Sequence, residues 1–417
     1  MSKYKLILGK ATKYEDDNPK ITKLKKRYDH TYVIGKTGRG KSSLLENMAV
    51  YDINYGCATI FIDPSGISCR KIYHKIEDKS RVIYISIESP KVINPINKEG
   101  YKIDTIIQEF IQVLDVLVTL TNSNPESTVQ MKEIINYAIR SITKEENKNL
   151  KYITDLLMYK DDRIKLVNEL FLNKMMEEHK YWKEFDESDN RYPRNKEKIE
   201  SAKRVAARLS EISTGEMKDF VIGKNEINLE EIVEEGKVLL VDTSRMNLNS
   251  KIYITNLLVY AVLSYSDYTP NKYRTEDKQK PLLVYVDEFA IVVSELFDTL
   301  LASARKSAVG FTLAHQNFSQ IPEKILDTTI GNADTYVVLT CGDKEASRFS
   351  KIFNVEMLDL LDLDPYNAYI RIGKTNCLAE LFKPIMNEVP PLPDTIISPK
   401  VELNFLSPDW MFDTLEV

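Results

Sequence analysis

The sequence reads as an α/β protein with a largely parallel sheet and an inserted all-α domain. Three observations carry that reading. Short apolar runs alternate with helical patterns before about Tyr101 and again from Lys237 onward, the signature of a parallel sheet covered on both faces. Between Lys102 and Ile222 the apolar residues recur only at helical spacing. Third, the loop Gly35-Lys36-Thr37-Gly38-Arg39-Gly40-Lys41-Ser42 lies between the apolar run Tyr32-Val33-Ile34 and the amphipathic run Leu44 to Ala49. Strand, glycine loop and helix in that order make a phosphate cradle, with backbone N–H groups turned inward and the helix's positive end aimed at the anion.

The chain has 417 residues, too many for one ordinary core, so two domains or one domain with a large insertion are expected. Apolar content of 43% and charged content of 29% suit a globular chain in water. A net charge of −5 argues against a coat of positive charge but leaves room for a local basic surface inside an assembly. Cys57, Cys69, Cys341 and Cys377 show no metal-ligand spacing and read as buried thiols in a reducing cytoplasm. The start is polar and charged, unlike a signal peptide. The longest apolar runs, such as Asn256 to Leu263, are too short to cross a bilayer. A cytoplasmic protein without direct membrane insertion is therefore expected.

Taken in order, Tyr4–Leu8 predicts a first strand. Lys20, Lys23, Lys25, Lys26 and Arg27 follow and read as a solvated approach to the core strand, with phosphate contact as the alternative. A helix runs from the phosphate loop to about Asn54, capped by Gly56. Strands are predicted at 58–62, ending in Asp63-Pro64, and at 82–86. In the helical segment, Asn124-Pro125-Glu126 is a helix start, and Glu184–Arg194 is a polar loop. The sheet resumes at Lys237–Asp242. A helix is predicted over Ile252–Ser266, a polar loop over Thr269–Lys280 and a strand over Leu282–Val286. Then come a helix from Val292 to Lys306, strands at 310–314 and 335–339, a helix over Lys344–Phe353 and a closing hairpin, 368–372 with 378–382. The resulting division is 1–101 and 223–389 for the nucleotide-binding domain, 102–222 for the helical insert and 390–417 for a proline-punctuated tail.

The chemistry follows from four places. Gly35, Lys36, Thr37, Gly38, Arg39, Gly40, Lys41, Ser42 and Ser43 would bind ATP, with Lys41 reaching the β- and γ-phosphates and Ser42 holding Mg²⁺. Leu283-Val284-Tyr285-Val286-Asp287-Glu288 delivers two acids to a strand's carboxyl end. Asp287 would bind Mg²⁺ through water, and Glu288 would polarise the attacking water. Leu313-Ala314-His315-Gln316 ends the neighbouring strand; Gln316 would sense the γ-phosphate, and His315 reads as structural. Arg305 is either a cation stabilising a helix end or a finger acting on a neighbouring subunit.

Together these residues resemble the HerA/FtsK superfamily of ring-forming DNA-pumping ATPases, and within it the TraG/TraD-type conjugative coupling proteins of type IV secretion systems. The matching pieces are His30–Ile34 entering the phosphate loop, Phe61-Ile62-Asp63-Pro64-Ser65-Gly66, Asn94-Pro95 and Glu235–Val241. Further on come Val286-Asp287-Glu288-Phe289, Ala304-Arg305-Lys306, Leu313–Asn317 and Ile330–Asp334. The likeness spans most of Tyr32 to Pro391. It implies a RecA-like P-loop fold, ATP and Mg²⁺, a homo-hexameric ring and DNA in its channel. It also implies that Lys41 and Ser42 serve the nucleotide and metal, Asp287 and Glu288 are the metal and catalytic acids, Gln316 is the sensor, and Arg305 is the trans arginine. Many relatives place an acid or histidine around Asp63–Gly66; with Ser65 and Ile67 here, no catalysis is assigned there. Docking at a membrane channel or to a relaxase-type protein would run through that partner. A viral genome-packaging motor or a HerA-like DNA-processing motor would use the same chemistry. A regulatory GTPase is disfavoured, because the sequence has no Asn/Thr-Lys-x-Asp motif. A scaffold without turnover is disfavoured by Lys41, Glu288 and Gln316. The loop Thr243–Lys251 is either DNA-facing or an ordinary solvated connection.

Overall fold

A computed structural model describes residues 4–12, 19–22, 24–97, 101–120, 128–142, 144, 146, 148–186, 194–272, 280–294, 296–393 and 396. The strands are β1 (Leu6–Ala11), β2 (Pro19–Thr22), β3 (Thr31–Ile34), β4 (Ala58–Asp63), β5 (Val82–Ile85), β6 (Val238–Asp242), β7 (Leu282–Val286), β8 (Val309–His315), β9 (Thr335–Val338), β10 (Asn367–Ile372) and β11 (Thr375–Leu381). They form one sheet in the order β2-β1-β11-β10-β9-β3-β8-β7-β4-β6-β5. From β9 to β5 every pairing is parallel. On the other flank β10, β11, β1 and β2 pair antiparallel. The parallel strands β3, β4, β6, β7 and β8 are buried along their whole length, which is why they read as continuous apolar runs rather than alternating ones.

Two cores flank the sheet. On one face, α1 (Lys41–Tyr55) buries Leu44, Leu45, Met48, Ala49 and Ile53, together with Cys69 and Ile72 of α2 (Ile67–Lys75). The other face packs on α3 (Leu248–Lys272) through residues such as Ile254 and Leu258. That core continues into the helical segment through Phe110, Ile134, Trp182 and Leu209. Among the described residues no strand lies between Ile85 and Val238. The indole of Trp182 is fully buried and donates to the Ser141 hydroxyl at 2.8 Å.

The structure departs from the expectations in a few places. β1 lies at Leu6–Ala11 rather than Tyr4–Leu8, where residues 9–11 pair with β11. The basic stretch contains β2 and a short helical turn, Leu24–Arg27. An edge strand needs no apolar alternation, so its composition looks like that of a loop. The helix expected over Ile252–Ser266 extends from Leu248 to Lys272. The helix expected from Val292 to Lys306 is broken into a turn at Phe289–Val292, α4 (Leu296–Ser303) and a 3₁₀ turn at Ala304–Ser307. Extended backbone at Val293 ends the first turn, and left-handed Ala308 ends the last. The Asn124-Pro125-Glu126 start, most of the Glu184–Arg194 and Thr269–Lys280 loops, and the tail beyond 396 lie outside the described residues.

Below the sheet's amino edge sits a buried ion pair. Arg27 and Asp52 are both out of solvent, 3.3 Å apart. The guanidinium also donates to Thr31 and Tyr285 at 2.8 Å and to Thr312 at 3.1 Å. The Tyr4 and Tyr285 hydroxyls donate to Asp52. One cluster thus ties β3, β7, β8, α1 and the segment before β1. Removing one partner of such a pair strands the other charge in a medium that cannot solvate it. Asp52→Ala should therefore lower unfolding free energy by about 3–5 kcal/mol, read by denaturant titration, with Asp52→Asn less affected because it still accepts hydrogen bonds.

Candidate active site

The parallel register brings the chemistry to one edge. Ile34 stands level with His315 and Val338, Val286 with Leu313 and Ile62, and Asp63 with Asp242. The loop after β3, the acids after β7 and the glutamine after β8 therefore emerge side by side at the carboxyl ends, where open α/β sheets bind ligands.

The loop has the backbone that an anion needs. Gly38 and Gly40 take φ of 75° and 115°, a region open to glycine. Gly35 lies so close to Leu339 that a β-carbon would stand 2.7 Å from that residue's Cβ. Gly40 caps α1 without a side-chain hydrogen bond, and no acid sits in the first turn. The first N–H groups of a 15-residue helix thus face the loop without a competing side-chain cap. Lys36, Thr37 and Gly38 are exposed, with Arg39, Ser42 and Ser43 partly so. Lys41 is buried and curls back, donating to the carbonyls of Gly35 at 2.7 Å and Lys36 at 3.3 Å. Burial pushes its ammonium pKa down, against the pull of Glu288 and Asp287.

Opposite the loop, burial pushes the Asp287 carboxyl up to about 6, aided by the charges of Asp63 and Glu288 and opposed by a hydrogen bond from Ser42. Glu288 sits in the left-handed region at φ 48°, ψ 47°, a strained conformation for a long side chain. Gln316 donates to both Glu288 carboxylate oxygens, at 3.0 and 3.3 Å. Ser42, Asp287, Glu288, Gln316 and Lys41 are thus one cluster. Oxygen ligands from Ser42 and Asp287 fit a hard cation such as Mg²⁺, which binds through one or two carboxylates with water and phosphate. Among the described residues no group of three or more His, Cys, Asp or Glu could hold a metal by itself, and such a phosphate-assisted site needs none.

Other positions fall outside that cluster. His315 is buried, shares a hydrogen bond with the Tyr32 hydroxyl through Nε2, and places Nδ1 3.0 Å from the Asn317 carbonyl. Burial holds its pKa down at about 4, so it is a neutral structural group. Arg305 lies before β8, at the opposite edge of the sheet, where Nε is 2.7 Å from Asp29. It cannot reach its own chain's cluster from there. Asp63 neighbours Asp287, but its oxygens are taken by Ser65, Ser68 and Cys69. In Thr243–Lys251, Arg245 pairs with Glu88, Asn247 donates to Glu216 and Lys251 donates to the Pro64 carbonyl. Sequence reasoning missed Glu345, whose buried carboxylate accepts the Phe318 N–H at 2.7 Å and fixes the segment after Gln316. Its signal, one acid in a helix rich in charge, does not stand out from solvated neighbours.

The family model described as "Helicase HerA, central domain" matches residues 9–262, phosphate loop and helical segment included. The chain belongs to that family. No curated protein matches it significantly. Among solved structures, it resembles the bacterial conjugative coupling protein TrwBdeltaN70 at 15% identity and TM-score 0.61, covering 87% of each chain. Plasmid coupling protein TrwB in complex with ADP and Mg²⁺ gives 15% identity and TM-score 0.63, covering 88% of this chain and 90% of that one. VirB4 of Thermoanaerobacter pseudethanolicus gives 14% and 0.61, covering 91% and 96%. Those likenesses show the shared RecA-like fold. With the family match they bear out the resemblance to HerA/FtsK-type P-loop ATPases, and the chain is an ATPase.

A pH dependence follows from Asp287. Its folded pKa, about 6, stands above the ordinary 3.8, so the folded chain holds this proton more tightly than the unfolded one. That contribution to stability is fully present below about pH 4 and is lost as pH rises through about 6, a difference of about 3 kcal/mol. Asp287→Asn should therefore melt higher than the parent at pH 7, measured without nucleotide. The gap should close at pH 4; a gap of equal size at both pH values would contradict this account.

Proposed function

We propose that this HerA-family ATPase is a DNA translocase, a homo-hexameric ring that pumps DNA in conjugative transfer or mobilisation. The observation that carries the reading is the cluster at the carboxyl edge. Gln316 holds the Glu288 carboxylate opposite Lys41, while Ser42 and Asp287 stand together beside it. Residues Gly35 to Ser43 wrap the phosphates of ATP. Lys41 leaves the loop carbonyls for the β- and γ-phosphates, whose charge adds to the pull of Glu288 and Asp287 on its ammonium. Ser42 and Asp287 would hold Mg²⁺, which would supply positive charge beside the phosphates. Glu288 takes a proton from, or orients, the attacking water, and Gln316 reports whether the γ-phosphate is present by exchanging its hydrogen bond between Glu288 and phosphate oxygen.

The ring supplies the remaining positive charge. Arg305 lies away from its own site and is largely exposed, with a side chain 69% accessible, so the γ-phosphate it serves belongs to a neighbour. DNA runs through the channel, and Thr243–Lys251, at the same sheet edge as the active site, is a candidate contact through Arg245 and its amides. The ring works in the cytoplasm and reaches a membrane channel or relaxase-type protein by docking. Among the described residues no helix is long and apolar enough to cross a membrane.

The test is the ATPase rate with and without single- and double-stranded DNA. Stimulation that falls as salt rises and shows little sequence preference is expected, since the contacts are to phosphates. A rate indifferent to both kinds of DNA at low salt would overturn the translocase reading. Glu288→Gln should bind ATP normally and lose at least about 10²-fold in turnover. Mixing Arg305→Ala with Glu288→Gln subunits, each inactive alone, should partly restore activity, because some interfaces pair an intact Glu288 with an intact neighbouring Arg305. No recovery in rings shown to be mixed would remove Arg305 from the mechanism.

A further inference from the structure

The strand order gives the phosphate loop two unlike flanks. β8 and β7 lie on one side of β3, bringing Gln316, Glu288 and Asp287; β9 and β10 lie on the other. A triphosphate whose γ end faces the acids must run its nucleoside end toward β9 and β10. On that flank two residues converge on the first turn of α1. Tyr366, just before β10, donates its N–H to the Arg39 carbonyl at 3.0 Å. Its ring lies against Gly40 so closely that a β-carbon there would stand 2.8 Å from the ring's Cδ1. Lys383, just after β11, is tied to the same turn: Asn47 donates to the carbonyls of Ser43 at 2.8 Å and Lys383 at 3.0 Å. The Lys383 ammonium sits over the Tyr366 ring, 4.4 Å from its centroid.

The backbone at this point is costly. Tyr366 has φ 65°, a left-handed conformation that bulky side chains rarely adopt and that Asn or Gly adopts more easily. A half-buried aromatic ring is thus kept beside the phosphate loop at a position where a ringless residue would fold with less strain. The ring is also the right object for a base: flat, polarisable and next to a cation.

Resting on the ATP reading of the loop, we propose that Tyr366 is the platform on which the purine of the bound nucleotide stacks. Lys383 covers the ring face that the base takes, and its ammonium turns to the phosphate charge when the base arrives. Stacking uses the π face and not the base edge, so it is tolerant of base identity.

The test separates base from phosphate. Affinities for MgADP and for inorganic tripolyphosphate are measured calorimetrically on the full chain, with Tyr366→Phe and Tyr366→Asn; the asparagine suits the left-handed backbone and protects the fold. Tyr366→Asn should weaken MgADP about tenfold or more and leave tripolyphosphate unchanged, while Tyr366→Phe keeps both within about twofold, since the π face persists. In Tyr366→Trp, MgADP should quench the introduced indole and tripolyphosphate should not. Equal weakening of both probes in Tyr366→Asn would make the ring a mere support of the loop and overturn the proposal, as would unchanged MgADP affinity. A parent protein that binds tripolyphosphate but not MgADP would overturn it too, and one that binds neither would overturn the nucleotide reading beneath it.

Discussion

Parallel pairing of β3 with β8 on one side and β9 on the other is the constraint on which the rest of the molecule depends. Because the strands run the same way, each must be reconnected by a crossover, and every crossover leaves from the same edge. The loop before α1, the acids after β7 and the glutamine after β8 share that edge only for this reason. A one-residue slip between β7 and β8 would move Gln316 relative to Glu288 by about 3.3 Å, enough to lose a hydrogen bond now 3.0 Å long. Both faces of β3, β7 and β8 are buried, so what resists such a slip is the close packing of side chains of unlike size against the two cores.

The same edge is where the molecule is least comfortable. Asp287 is a buried acid beside two other carboxylates, Glu288 is left-handed, and Lys41 is a buried ammonium hydrogen-bonded to loop carbonyls. What eases these groups is mutual: Glu288 and Asp287 draw on the Lys41 ammonium, Ser42 donates to Asp287 and Gln316 to Glu288. In the Arg27–Asp52 cluster at the opposite edge, the charge pair and both tyrosines are likewise mutually engaged. The amino edge thus carries the cross-braced polar cluster, and the carboxyl edge carries the left-handed Glu288 and the buried Asp287.

Much of this was legible in the sequence because the parallel strands advertise themselves. A buried strand such as Leu282–Val286 must be apolar throughout, and the acids that follow mark where it ends. The antiparallel flank was harder. β2 carries Lys20 and Thr22 at an edge, where nothing forces a pattern. Glu345 and Tyr366 were not legible at all: their importance comes from what they touch across 27 and about 330 residues of sequence, Phe318 and Gly40, and no local spacing encodes such a contact. Arg305 was legible as a residue but not as a place. The sequence puts it after Asp287 and Glu288, and only the direction of β8 sends it to the far edge.

That placement bears on assembly. If Arg305 serves a neighbour's γ-phosphate, one chain must present its amino edge to the carboxyl edge of the next. Such a contact is head to tail, joining unlike surfaces, and it either closes into a ring or propagates as a filament. In this chain Arg305 is held by Asp29, two residues before β3, and β3 runs directly into Gly35 of the phosphate loop. One short strand therefore has the arginine's resting partner at one end and the nucleotide loop at the other, about 20 Å apart at ordinary strand rise. Drawing Arg305 off Asp29 toward a neighbour leaves a mostly buried carboxylate without that partner, with Lys26 still near it at 3.2 Å. The cost falls at the root of the strand that carries the loop. A ring built this way would connect each site to the next through β3, without needing a separate signalling element.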